Sequence, residues 1–145
     1  MKFLIVEAET SGALEPSGSA PSDAFTFDVW LGDDLIRAYP AVLVTRGLRD
    51  ALLTVPDSSG FRLSRARVRG SRFFRLHTPS RRLPLFWAVQ IDGKPGRDDM
   101  GLSEGGALVV SRRILDVVLE FKMVQAVFKQ YDPGRPLRRR VSRTH

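Results

Sequence analysis

The feature that most constrains this chain is a segment of thirteen residues that occurs twice. Residues 41–53 read AVLVTRGLRDALL, and residues 107–119, 66 positions later and without a gap, read ALVVSRRILDVVL. Each copy has four apolar residues, then Thr45 or Ser111, then apolar positions at helical spacing. Consecutive apolar residues predict a strand buried on both faces, and Thr or Ser before a helix predicts an N-cap. We therefore expect each copy to be a buried strand that runs into a helix.

A return strand is predicted after each copy. Residues 61–68 alternate apolar or small side chains with polar ones, and residues 124–131 do so less regularly. Two strand–helix–strand units in one chain indicate a duplication, or at least two structurally equivalent units. If a strand and its return strand share a sheet, the two units add parallel pairs to it.

The rest of the chain predicts an α+β fold with two main helices and a mainly antiparallel or mixed sheet. It forms one domain over residues 1–132, and residues 133–145, which carry five arginines and no acid, are expected to be a disordered basic tail. The other expected elements are strands at 1–6, 25–30, 72–77 and 85–91, a helical turn at 33–36 that stops before Pro40, and loops at 11–22 and 92–106. Residues 72–77 and 85–91 are expected to form a hairpin.

The residue types exclude several kinds of chemistry. The 145 residues include no cysteine and only two histidines, His77 and His145, so disulfides, thiolate nucleophiles and a histidine-rich zinc site are excluded. An acidic cluster at Asp92, Asp98, Asp99 and Glu104 offers oxygen ligands, but its spacing does not fit an EF-hand, and an exposed loop is the favoured interpretation. We predict no cofactor and no metal. An enzyme centred on His77 or on this acidic loop is the least favoured alternative.

Charge is divided unevenly along the chain. Residues 1–60 carry 4 basic and 9 acidic side chains, a net charge of −5, whereas residues 61–145 carry 19 basic and 7 acidic ones, a net charge of +12. Eight arginines lie in the segment from Arg62 to Arg82. The alternation of this segment favours a basic sheet face exposed to water, an acidic protein partner is the next interpretation, and nucleic acid is the third. The candidate partner-binding residues are two pairs of neighbouring aspartates, Asp33 with Asp34 and Asp98 with Asp99, and seven arginines of this band. These arginines are Arg62, Arg65, Arg67, Arg72, Arg75, Arg81 and Arg82.

No membrane partner is expected. No apolar run approaches the roughly 18 residues of a membrane helix, and the apolar start of the chain ends at Glu7, which is too early for a signal peptide. We predict a cytoplasmic protein.

The two copies carry a resemblance to a known group of proteins. Residues 42–48, VLVTRGL, and 108–115, LVVSRRIL, resemble the L-V-S-x-R strand-to-helix segments of small bacterial immunity proteins from polymorphic-toxin systems. The segment DDMGL at 98–102 and the chain up to Tyr131 are also similar to them, so the resemblance covers roughly residues 25–132. It implies a non-enzymatic cytoplasmic antidote that binds one toxin and blocks it. Nucleic-acid binding through the Arg62–Arg82 band stays open as the alternative.

Overall fold

A computed structural model describes residues 2–14 and 24–132, in which the chain forms ten strands and three short helices. In chain order the elements are β1 Phe3–Glu7, β2 Glu9–Leu14, β3 Ala24–Phe27, β4 Leu35–Tyr39, β5 Ala41–Thr45, α1 Arg46–Leu53, β6 Phe61–Gly70, α2 Arg72–His77, β7 Phe86–Ile91, β8 Met100–Leu102, β9 Leu108–Ser111, α3 Arg112–Val118 and β10 Val127–Tyr131. The predicted α+β class is confirmed. The predicted tail at 133–145 lies outside the described residues, as does the part of the predicted 11–22 loop that follows Leu14.

Six of the strands close into a barrel, in the order β2-β3-β6-β7-β5-β4. Two neighbouring pairs in it, β2–β4 and β3–β6, are parallel, and the other four are antiparallel. The remaining strands form an antiparallel sheet in the order β10-β1-β9-β8. Of the two alternatives predicted, the barrel is mixed instead of mainly antiparallel, and its closure was not predicted. Closure joins strands that are distant in sequence, and local alternation carries no information on their relative direction.

Three apolar clusters explain why whole strands are buried. The largest lies between the outer face of the barrel, the four-stranded sheet and the helices α1 and α3. A second cluster fills the barrel, and a third covers the opposite face of the four-stranded sheet. In β5, Val42 and Val44 belong to the first cluster and Leu43 to the second. Alternate side chains of a strand point to opposite faces, so a strand covered on both faces is apolar throughout.

The two copies of the repeat have the same surroundings. Strands β5 and β6 both pair antiparallel with β7 and are therefore parallel to each other, separated by one strand. Strands β9 and β10 flank β1 in the same way. The buried helical positions also correspond, with Leu48 and Leu52 in α1 matching Ile114 and Val118 in α3. The two predicted strand–helix–strand units are present and equivalent in topology.

Each unit also begins with a strand that the sequence analysis did not predict. Strand β4 occupies the segment expected as a helical turn, and β8 lies within the expected loop at 92–106. Each pairs antiparallel with the strand that follows it, β5 or β9. Two adjacent apolar residues, Leu35 and Ile36, suggested a helical turn, but they enter different clusters on opposite faces of β4.

The segment at 72–77 is helix α2 instead of the expected hairpin strand. The hydroxyl of Ser71 accepts a hydrogen bond from the Phe74 amide at 3.1 Å, which caps the helix. Phe74 is the one buried residue of α2 and packs into the cluster inside the barrel. Its neighbours Phe73 and Leu76 stay exposed, so the aromatic pattern that suggested a strand reflects a single inward side chain.

Candidate partner-binding surface

The first acidic pair, Asp33 and Asp34, binds the segment that follows α3. The two carboxylate oxygens of Asp33 accept hydrogen bonds from the amides of Val124 and Gln125 at 2.9 and 2.8 Å. Asp34 accepts from the Thr45 hydroxyl at 2.7 Å and from the Lys122 amide at 2.8 Å. The acidic pair of the first unit therefore holds the end of the second unit's helix.

The second acidic pair binds the segment that follows α1. Asp99 accepts from the Ser111 hydroxyl at 2.6 Å, from the Ser59 amide at 3.0 Å, and from two nitrogens of Arg113 at 3.0 and 2.8 Å. The hydrogen bonds from Arg113 lower the pKa of Asp99 most, and those from Ser111 and Ser59 lower it further. Burial acts in the opposite direction and raises the pKa. Asp98 accepts from the Lys94 amide at 2.7 Å, which is the main cause of its lowered pKa.

Asp34 and Asp99 are therefore equivalent, and each contacts the other unit. Their neighbours differ, because Asp33 binds the other unit and Asp98 binds Lys94 of its own loop. Asp34 in one unit and Asp99 in the other accept from an N-cap hydroxyl with one oxygen and from a backbone amide of the opposite unit with the other. The separation between carboxylate and hydroxyl is 11 residues in the first unit and 12 in the second. Because these separations differ by one residue, the gapless alignment of the two copies does not match Asp34 with Asp99. The signal in the sequence is that each acidic pair directly precedes an apolar residue.

These contacts assign the candidate aspartates mainly to the fold. Asp33 is fully buried and Asp99 is 6% exposed, so neither presents a carboxylate to a partner. Asp98 is partly buried in the turn before β8. Asp34 differs from the other three because it lines an open groove.

This groove lies at the N-terminal end of α1 and has a volume of about 410 Å³. Its walls come from the segment before β4, from the start of α1 and from the segment before β7, and consist of Trp30, Gly32, Asp34, Thr45, Arg46, Gly47, Pro84 and Leu85. Leu31 and Leu85 are 50% and 43% exposed, so apolar surface accompanies the groove.

Trp87 forms a platform under three arginines beside the groove. The guanidinium carbons of Arg49, Arg65 and Arg46 lie 4.1, 5.4 and 5.8 Å from its ring centroid. These distances are within the range of cation–π attraction between a guanidinium group and an indole ring. Trp87 itself is only 8% exposed, so the arginines form the outer layer of this surface.

Trp30 is the second platform. The Arg81 guanidinium carbon lies 5.3 Å from the Trp30 ring centroid. The indole N–H donates to the Asp33 carbonyl oxygen at 3.0 Å, and the ring meets Phe86 edge-on at 5.9 Å. Arg46 both lines the groove beside Trp30 and covers Trp87, so it joins the two platforms. We call this continuous region the arginine–tryptophan surface, and it comprises Trp30, Arg46, Arg49, Arg65, Arg81, Trp87 and the groove.

The predicted arginine band is divided among several parts of the molecule. Only two of the arginines proposed from it, Arg65 and Arg81, belong to the arginine–tryptophan surface. Arg62 lies 3.9 Å from Asp92 in an exposed ion pair, and Arg75 donates to the Gly70 carbonyl oxygen at 2.8 Å. The other members are exposed and lie on β6, on α2 and in the segment before β7: Arg67, Arg72 and Arg82.

Two arginines of the surface, Arg46 and Arg49, were not singled out from the sequence. They lie three positions apart in α1, the spacing that puts two side chains on one face of a helix. This three-residue spacing is the signal by which the sequence could have identified Arg46 and Arg49 as a pair. Their common target, Trp87, is reached only through the packing of α1 on the barrel.

His77, the histidine considered for catalysis, contacts Phe73 of its own helix. It is exposed at the end of α2, stacks on Phe73 with centroids 4.0 Å apart, and places Nδ1 3.0 Å from the Phe73 carbonyl oxygen. Within residues 2–14 and 24–132, no group of three His, Asp or Glu side chains is arranged to hold a metal ion. In the same residues, no helix has the length and apolar character needed to cross a membrane.

Comparison of the chain with protein-family models, with curated proteins and with solved structures finds no match.

Proposed function

We propose that this protein is a non-enzymatic, immunity-type binding protein that neutralises a bacterial toxin through the arginine–tryptophan surface. The observation that carries the proposal is that both tryptophans of the chain lie under arginines on one continuous surface with a groove. Tryptophan and arginine dominate the free energy of protein–protein binding when they lie at the centre of an interface. The proposal also agrees with the resemblance of the two copies to immunity proteins.

The chemistry of this surface favours an acidic partner. Four guanidinium groups, from Arg46, Arg49, Arg65 and Arg81, are held over indole rings. A side chain that already lies over an indole ring in the free protein loses less conformational entropy when it binds a carboxylate. Arginine also offers two parallel N–H donors to a carboxylate. A toxin that exposes Asp and Glu side chains around its active site fits this surface, and binding there blocks access without any catalytic group.

The test is co-expression of the chain with the product of the neighbouring gene, read out by co-purification and by rescue of cell growth. The charge-reversal variant Arg46→Glu/Arg65→Glu is expected to lose rescue and to weaken binding by at least about a hundredfold. The matched control is Arg112→Glu/Arg72→Glu, in which Arg112 is the repeat counterpart of Arg46. The control is expected to rescue growth. Recovery of no partner would exclude this function, whereas rescue by the first variant and not by the control would exclude the arginine–tryptophan surface as the binding site.

Nucleic-acid binding has one specific observation in its favour. Phe73 directly follows Arg72 in α2, is 53% exposed and stacks on His77. This arrangement offers an aromatic face next to cations, on which a base could stack. If this function is correct, binding to RNA or DNA weakens steeply as salt concentration rises. Absence of binding at low salt eliminates it.

A further inference from the structure

The groove of the arginine–tryptophan surface lies at the point where the equivalence of the two units fails. Position 47 in the first unit corresponds to position 113 in the second, and the residues there are Gly47 and Arg113. Arg113 spans from α3 to Asp99 and also donates to the Asp57 carbonyl oxygen at 3.1 Å. Gly47 has no side chain that could reach Asp34, and both residues line the groove. A Cβ atom at position 47 would lie 3.2 Å from the Phe121 ring.

The carboxylate contacts define the difference between the units atom by atom. One oxygen of each aspartate accepts from the N-cap hydroxyl and the other accepts from a backbone amide. In the second unit each oxygen of Asp99 accepts one further hydrogen bond, from Nε or Nη2 of Arg113. Within the described residues, Asp34 has no such third and fourth donor. A carboxylate accepts about four hydrogen bonds, so Asp34 retains two acceptor positions in the geometry of a bidentate arginine pair.

We propose that the groove beside Asp34 receives an arginine side chain of the protein partner, which takes the place that Arg113 occupies in the second unit. The inference rests on the proposed function, because it names the partner side chain that the arginine–tryptophan surface binds. Leu85 and Pro84 supply apolar wall for the methylene groups of that arginine, and its guanidinium reaches Asp34.

Three cations among the described residues lie at the groove. Arg46 lines it, and a Cβ atom at Gly32 in its wall would lie 3.0 Å from Nζ of Lys122 and 3.8 Å from Nη1 of Arg81. The second unit has Arg112 at the position of Arg46, directly beside Arg113, and forms the Asp99–Arg113 pair while Asp116 pairs with Arg112 at 3.1 Å. The guanidinium groups of Arg46 and Arg81 are drawn towards Trp87 and Trp30. The partner is therefore expected to present acidic residues around a central arginine, an alternation of charge that gives specificity.

The groove is tested without the partner by nuclear magnetic resonance of the full chain. The probe is arginine with both ends blocked, and the matched control is blocked citrulline, which has the same shape without the charge. Arginine is expected to shift the amide signals of Gly47, Leu48 and Lys122 in a saturable manner, whereas citrulline and blocked glutamate do not. Equal shifts with citrulline, or larger shifts with glutamate, would overturn the inference.

Two variants assign any binding to Asp34. Asp34→Asn is expected to weaken arginine binding by at least about tenfold. Gly47→Arg supplies the guanidinium within the chain and is expected to abolish binding, whereas the control Gly47→Ala, whose methyl group meets the Phe121 ring at 3.2 Å, retains it. If Gly47→Arg does not fold, Asp34→Asn decides, and unchanged arginine binding in it overturns the inference.

The two proposals fail separately. Arginine binding in the groove of a protein for which no toxin is found leaves the groove assignment intact and removes the toxin function. Binding of a toxin, together with no arginine signal in the groove, would leave the toxin function intact and remove the groove assignment.

Discussion

The Asp99 side chain accepts four hydrogen bonds from the described residues, two more than the equivalent Asp34 accepts. It joins the Ser111 hydroxyl of its own unit, the Ser59 amide of the other unit and the Arg113 guanidinium. Asp34 makes the first two kinds of contact and lacks the third. The same residue type in equivalent positions therefore has a structural role in one unit and, through the proposed arginine contact, a binding role in the other.

Asp99→Asn is expected to lower the free energy of unfolding by about 2–3 kcal/mol, because the substitution removes the charge that Arg113 and the two serine donors bind. The figure is below that of a fully buried pair, since the Arg113 side chain is 43% exposed. Urea unfolding measures it. The exposed pair Arg112–Asp116 provides the control, and Asp116→Asn is expected to cost less than about 0.5 kcal/mol. Equal losses in the two variants would contradict this role.

The pKa of Asp99 also predicts how stability depends on pH. Its folded-state pKa is lowered, so its contribution is present above the ordinary pKa of an aspartate and is lost as the pH falls through the lowered value. Unfolding free energies of the native chain and Asp99→Asn should converge at acidic pH. Parallel profiles would show that the lowered pKa contributes no stability.

The contribution of Glu9 to folding stability is expected to change with pH in the opposite direction. Glu9 is 7% exposed, one of its oxygens has no hydrogen-bond partner among the described residues, and burial raises its pKa from the ordinary 4.5. The folded state therefore binds the proton more tightly than the unfolded state, and stability falls as the pH rises from 4.5 through the raised value. Glu9→Gln is expected to flatten this slope and to equal or exceed the native stability at neutral pH, by up to about 1 kcal/mol. Unfolding measured across this pH range checks it, and an unchanged slope would contradict it.

At the scale of elements, the strand-to-helix segments are the best-determined parts of the fold. In both copies the strand is covered on two faces and the helix buries one face against the cluster between barrel and sheet. The helices contain eight and seven residues, too few to be stable alone in water. Their stability must come from this packing.

The equivalent positions Leu48 and Ile114 test that statement. Both are fully buried, and we expect Leu48→Ala and Ile114→Ala each to lower the free energy of unfolding by about 2–4 kcal/mol. The matched controls are Leu53→Ala and Leu119→Ala, also equivalent in the repeat but 66% and 50% exposed, with an expected loss below about 1 kcal/mol. Chemical denaturation compares all four, and a large loss at one copy alone would contradict the equivalence of the units.

At the scale of the whole molecule, the two units are expected to unfold together. Each fastens the segment after the other's helix, and both share the largest apolar cluster, so neither keeps its contacts when the other opens. Calorimetry should show one transition in which the calorimetric and van't Hoff enthalpies agree. Two resolved transitions would mean that the units are independent.

The sequence predicted the elements that depend on local pattern. Strand β5, helix α1 and their counterparts β9 and α3 followed from four apolar residues and an N-cap, and β6 followed from alternation. Ser111 caps α3 as predicted, through a 3.4 Å contact with the Ile114 amide, whereas Thr45 donates to Asp34 instead. Strand β4 and helix α2 were predicted incorrectly, because Ile36 and Phe74 are placed by a barrel that no local pattern describes.

The amino-acid sequence alone determined the α+β class, the two equivalent units and the exclusion of cysteine chemistry, since residue type and periodicity act over a few neighbouring positions. Only the tertiary structure decided which side chains share a surface. Arg46 and Arg65 are 19 positions apart, yet both cover Trp87, and Asp34 meets the Lys122 amide across 88 positions. Contacts of this kind arise from barrel closure and from the docking of one unit on the other, and their energies depend on burial and distance in space.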